Sequence, residues 1–251
     1  MQTERKAPEM SLEERIYRTP IVHVIGICAA AAAALFLVLT LVFLICGGTF
    51  LTDNRAEGVT YRYFGIMKGD VPTLGVFRGT DGTRGRINGD RVKFGDGSRY
   101  EGGLYFLDFS GKGTLTDKDG NVYEGSFEKG KLEGMATVKY ADGGSFTGNF
   151  IGGLADGYGE RIYSDGSYYK GYFAKGEKSG KGELVYSDGS VYKGSFERDM
   201  RHGKGEYRFA SGDVYTGEFT NNVITGYGTY FFYASGRVFV GEFVAGVPQM
   251  D

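Results

Sequence analysis

Few residues in this 251-residue chain could do covalent chemistry, and their spacing argues against it. His202, in Arg201-His202-Gly203-Lys204-Gly205, is the only histidine beyond His23, and no recurring nucleophile stands where it could serve as general base. Ser167 and Ser190 follow Asp-Gly pairs, but no histidine recurs beside them, so they read as turn residues. Asp142, Asp165 and Asp188 return every 23 residues, and stacked corners could align carboxylates for calcium. One carboxylate per repeat falls short of the six or more oxygens calcium takes, and the nonapeptide Gly-Gly-x-Gly-x-Asp is absent. Cys28 and Cys46 both lie in an apolar stretch, which leaves the remainder without a disulfide, a zinc site or a thiol nucleophile. The expectation is a chain that is not an enzyme, with no catalytic residue, no metal and no cofactor.

What recurs instead is a scaffold. Units open at Tyr100, Tyr123, Phe146, Tyr169, Tyr192 and Tyr215, 23 residues apart, and a partial unit opens at Phe239. In the unit from Tyr169, Tyr169, Gly171 and Phe173 alternate with Lys170 and Tyr172, the two-residue period of a strand. Gly176 supplies one turn, and Asp188-Gly189 reads as a type I′ hairpin corner. The pairs Gly111/Gly113, Gly157/Gly159, Gly180/Gly182, Gly203/Gly205 and Gly226/Gly228 are expected on one face, making room for the rings of neighbouring hairpins. Ala136 adds a methyl at one such place and should crowd that layer. A lone hairpin is marginal in water, so stability must come from stacking and from a buried ladder of Phe127, Phe150, Phe173, Phe196, Phe219 and Phe243.

Ahead of the repeats, Ile21 to Cys46 carry no charge over 26 positions, which as a helix would reach about 39 Å. A bilayer core needs about 30 Å, so a single membrane-spanning helix is expected. Its length exceeds the apolar region of a cleaved signal peptide. Arg5, Lys6, Arg15 and Arg18 before it and Arg55, Arg62 and Lys68 after it leave the orientation open. The expected organisation is a polar tail (1–20), the span (21–46), a linker (47–76), a worn first repeat (77–99) and the array (100–251). Charge divides along the same lines: residues 55–99 hold nine basic and five acidic side chains, the array 16 and 21. An acidic array excludes nucleic acid as its partner.

The spacing of aromatic, Gly, Phe, Gly-x-Gly and Asp-Gly over residues 100–243 resembles the MORN repeat, the membrane occupation and recognition nexus, with six units and a partial seventh. Leu104 stands at an aromatic position and Asp117 at a late ring position, both departures in the first unit. The resemblance implies an all-β repeat array: an elongated, twisted, single-layer antiparallel sheet of stacked hairpins, here preceded by the transmembrane helix. It also implies a scaffold or adaptor that binds protein segments along a groove.

The functional expectation is thus a single-pass membrane protein recruiting a peptide or helix of a partner protein. Tyr168, Tyr172, Tyr227 and Tyr230, rings off the ladder, are the candidate partner surface. One alternative is a lipid-contacting tether in which Arg78, Arg84, Arg86, Arg91 and Lys93 bind anionic headgroups. Another is an extracytoplasmic structural array. Self-association through an exposed end is compatible with each.

Overall fold

A computed structural model of the chain describes residues 32–41, 48–54 and 59–249. The expected tail and both ends of the expected span, with His23, Cys28 and Cys46, lie outside the described residues. Residues 32–41 form one α-helix, α1, about 15 Å long. Among the described residues no helix is long and apolar enough to cross a membrane. The chain divides into two compact units, Met1–Phe50 and Leu51–Asp251.

Among the described residues, 19 strands make one sheet. The first five are β1 (Gly48–Asn54), β2 (Thr60–Lys68), β3 (Val71–Gly79), β4 (Arg84–Asn88) and β5 (Arg91–Phe94). The repeats begin with β6 (Arg99–Tyr105), β7 (Asp108–Thr116), β8 (Val122–Glu128), β9 (Lys131–Lys139), β10 (Ser145–Ile151), β11 (Leu154–Ile162) and β12 (Tyr168–Ala174). They continue through β13 (Glu177–Val185), β14 (Val191–Glu197), β15 (Met200–Arg208), β16 (Val214–Thr220), β17 (Val223–Phe232), β18 (Arg237–Val244) and β19 (Val247–Pro248). From β2 onward each strand pairs antiparallel with the next, an open meander of short hairpins. The stretch 47–76, expected as a linker, holds β1, β2 and the start of β3. Tyr63, Gly65 and Gly75 already lay an aromatic over glycines there, but without the Gly-x-Gly spacing that marks the later units.

One contact repeats along the sheet. In the hairpin of β12 and β13, Gly171 faces Gly182, and the Tyr169 ring lies across both: a Cβ added at either glycine would stand 2.7 Å from Tyr169 Cζ. The ring therefore occupies the space vacated in its own hairpin, not in the neighbour as the sequence suggested. Its hydroxyl donates to the Tyr172 carbonyl at 3.0 Å, and Tyr192 does the same to Ser195 at 2.9 Å. Phenylalanines join the hairpins. Tyr169 meets Phe173 at 5.1 Å and Phe196 of the next unit at 5.0 Å, both edge-on, and Tyr192 repeats this with Phe196 and Phe219. The expected ladder is buried throughout, and each edge-on pair adds about 0.5–1.5 kcal/mol beyond area burial.

Ala136 is the informative exception. Its methyl would lie only 2.6 Å from a Cβ on Gly125, and Leu132 crowds the same spot. Tyr123, the opening aromatic of that unit, is only half-buried, and its hydroxyl reaches Asp117 Oδ2 at 3.1 Å instead of a carbonyl three residues on.

The corners differ from expectation in type. Gly189 has φ +85 while Asp188 does not enter the positive region, and Gly189 N–H donates to the Tyr186 carbonyl at 3.0 Å. This is a type I turn closed by a left-handed glycine. Asp188 Oδ1 accepts from the Ser190 N–H and hydroxyl at 2.8 and 2.6 Å, which holds its carboxyl below the ordinary value. Type I′ geometry appears at the other end of the hairpin, where Lys175 and Gly176 both have positive φ. The sequence reading chose the wrong corner because Asp-Gly serves either turn, and the distinction rests on how many residues separate the paired strands.

Gly182→Ala should evict Tyr169 as Ala136 displaces Tyr123, lowering unfolding free energy in urea by about 1–3 kcal/mol, an overpacking cost. An unchanged urea midpoint counts against the contact as a source of stability. Burial also pushes the Tyr192 hydroxyl up to about 12 and raises Tyr63, Tyr100, Tyr169 and Tyr215. Unfolded, these rings ionise at about pH 10, so their contribution is complete below that pH and falls as pH rises above it, through about 12 for Tyr192. Phenolate absorbance should therefore rise together with loss of strand circular dichroism, and ionisation of the whole tyrosine set with the sheet intact contradicts the assignment.

Candidate functional site

With the rings on one face, the opposite face is left to polar and aromatic side chains in cross-strand rows. One row is set by register as Glu160, Lys170, Glu183, Lys193 and Glu206 on β11 to β15, continuing as Thr216 and Thr229. A second row, two residues along each strand, contains Tyr158, Tyr172, Lys181, Ser195, Lys204, Glu218 and Tyr227. Between the rows runs a floor of glycine backbone: Gly171, Gly182, Gly194, Gly205, Gly217 and Gly228. Together they enclose an open trough of about 900 Å³, crossing seven strands and so about 29 Å long.

A β-bulge deepens the second row. Between Gly171 and Phe173 the register shifts, their partners on β13 being Gly182 and Lys178, and Gly180 takes φ +66, so its vacant side-chain position faces Tyr172 Cβ at 3.6 Å. The expectation that both glycines of Gly-x-Gly share the ring face is thus corrected. The second lies over the ring, and the first is turned by the bulge toward the trough. The residue between them points straight into it.

Charge in the trough is uneven. Lys170 pairs with Glu160, a bond that raises the lysine above its usual value, and Lys193 reaches Glu183 at 3.8 Å. Among the described residues Lys181 and Lys204 have no carboxylate within 4.0 Å. Aromatics mark both ends: Tyr158 and Tyr172 pack edge-on at 5.4 Å, and Tyr227 is 69% exposed. Such a surface offers hydrogen-bonded backbone, cations and aromatic faces.

Of the expected partner residues, Tyr172 and Tyr227 line the trough. Tyr168 shares their face but stands a further two-residue step along β12, half-buried opposite Val185. Tyr230 is on the ring face, donating to Asp213 Oδ2 at 3.2 Å and lying 5.7 Å from Phe209. Alternation from Gly228 fixes that side. Tyr158, Lys181 and Lys204 were missed, although each is the middle residue of a Gly-x-Gly and so carried a positional signal.

The basic set falls elsewhere. Arg78, Arg84, Arg86, Arg91 and Lys93 share the solvent face of β3 to β5, where Arg78 faces Arg84 and Arg86 faces Lys93. Asp142, Asp165 and Asp188 cap their own corners, and His202 lies half-exposed with Nε2 3.5 Å from Glu197. Among the described residues no three His, Cys, Asp or Glu side chains gather as metal ligands.

Among curated proteins, none matches this chain. Among solved structures, the TCP domain of SAS-4 (dCPAP) of Drosophila melanogaster, in complex with a proline-rich motif of Ana2 (dSTIL), is similar at 12% identity and TM-score 0.33, over 68% of this chain and 90% of that one. A variant of the TCP10 domain of Danio rerio CPAP is similar at 16% identity and TM-score 0.26, over 69% and 96%. Likeness at this level carries no argument about function. The family model for the MORN repeat matches residues 103–122, 123–145, 146–168, 169–191, 192–214 and 215–237. Six consecutive units spanning more than half of its residues place the chain in the MORN repeat family.

Proposed function

We propose that the chain is a non-enzymatic adaptor, held at a membrane by its N-terminal apolar stretch, whose trough binds an extended or helical segment of a partner protein. The trough carries this reading. Exposed Tyr158, Tyr172 and Tyr227 stand beside unpaired Lys181 and Lys204 over a floor without side chains. Tyrosine gives large contact area at low rotamer cost, and rigid aromatics dominate the energetics of protein interfaces. The floor admits close approach of a second backbone.

Membrane attachment draws on α1 and its flanks. Leu35, Phe36, Leu37, Val38, Leu39 and Leu41 are all more than half exposed, and Thr40 returns its hydroxyl to the Phe36 carbonyl at 2.8 Å. A helix apolar all round needs cover from protein or lipid, and the uncharged 26-residue stretch around it is long enough for a bilayer.

Peptides selected from a displayed library on the detergent-purified full chain should lose about tenfold in affinity on Tyr172→Ala or Tyr227→Ala, the effect of removing an aromatic anchor. Selected peptides indifferent to both changes place the docking surface elsewhere. In cells the chain should resist alkaline extraction from membranes, and deletion of 21–46 should release it. Extraction of the intact chain removes the anchor from the reading.

A further inference from the structure

We propose that the solvent face of β2 to β6 docks against the headgroups of an anionic lipid bilayer, through two rows of unneutralised cations. This surface is separate from the trough and does not depend on it. Its strands precede the first matched repeat.

The register builds the rows. Arg62 faces Arg78 and Arg78 faces Arg84 across β2, β3 and β4. Arg86 faces Lys93 and Lys93 faces Arg99 across β4, β5 and β6. All six side chains are exposed. Among the described residues none has a carboxylate within 4.0 Å, whereas the neighbouring Arg91 reaches Glu101 at 3.3 Å. Like charges placed directly opposite one another destabilise a sheet. Elsewhere on the same face, register sets Lys170 against Glu160 and Lys193 against Glu183. Two like-charge triplets in succession therefore mark a place where an external anion supplies the missing counter-charge.

The occupant is argued from shape and company. The trough has walls, but here the cations spread in two dimensions over a single sheet layer, which suits a planar array of phosphates better than a peptide. Phe64, Leu74 and Val76 on the same face are 42%, 52% and 45% exposed, and Phe64 and Val76 continue the row of Arg86, Lys93 and Arg99. Apolar side chains among cations match the boundary between headgroups and acyl chains. Sixteen residues carry the chain from Cys46 to Arg62, a reach of at most about 55 Å from the apolar stretch.

The test uses the full chain in nanodiscs of phosphatidylcholine alone or of an equal mixture with phosphatidylserine, with acylation of lysines by a water-soluble ester as readout. Lys93 should react about tenfold more slowly on the anionic discs, with Lys181 and Lys204 unchanged, and 1 M salt, which shortens screening to about 3 Å, should restore its rate. Arg78→Gln with Arg86→Gln should abolish the slowing at Lys93 and raise Tm in lipid-free detergent, because like-charge repulsion is relieved. Equal rates on both discs, equal slowing of all three lysines, slowing that survives the salt, or equal protection by soluble polyphosphate would each overturn the proposal. A lower Tm for the double variant would overturn the repulsion on which it rests.

Discussion

A tyrosine ring lying across two glycines of its own hairpin is the contact on which the molecule depends. A hairpin cannot stand alone in water, and a single-layer sheet has no second layer to cover it. The ring supplies that cover from within: Tyr169 fills the space above Gly171 and Gly182 and ties its hydroxyl to the Tyr172 carbonyl. Each phenylalanine then bridges two such rings, as Phe196 does between Tyr169 and Tyr192. Burial is thereby continuous along the array. Tyr123 shows the rule by its exception, since one methyl at Ala136 accompanies a ring only half-buried and a redirected hydroxyl.

Because the core sits on one face, the fold constrains the other very little. Register still dictates which side chains meet there, so charge becomes a pattern across strands. Over β11 to β15 one row alternates acid and base, Glu160, Lys170, Glu183, Lys193 and Glu206, while Lys181 and Lys204 in the row beside it stay unpaired among the described residues. Over β2 to β6 there is no such alternation, and arginine faces arginine. The same sheet thus carries one stretch where opposite charges meet across strands and one where like charges do. Neither could be inferred from net charge, which is −2 for the whole chain.

The sequence made the repeat plain because its period is rigid: 23 residues return an aromatic, a Gly-x-Gly in all but one unit and a corner ending in glycine. It was less explicit where chemistry is degenerate. Asp188-Gly189 suits two turn types, and only pairing distance separates them. Strands β2 and β3 escaped notice because Tyr63 covers Gly65 and Gly75 without a Gly-x-Gly to announce it. Tyr230 was misplaced for want of counting, since two residues from Gly228 must return it to the ring face. Lys181 and Lys204 carry no signature of their own, since each stands only as the variable residue of a Gly-x-Gly.

To place Gly182 over the Tyr169 ring while keeping Phe173 in the ladder, β13 must carry extra residues opposite Tyr172, and the slip is taken up at Gly180. The slip turns Gly180 outward and pushes Lys181 away from the sheet beside an exposed aromatic. Repeated at Gly203 and Gly226, it produces a row of projecting side chains along a bare backbone floor. A device that seats rings on one face therefore creates a concavity on the other. The position that lines it is free of packing duty, so its residue type can follow the partner: lysine at 181 and 204, tyrosine at 158 and 227.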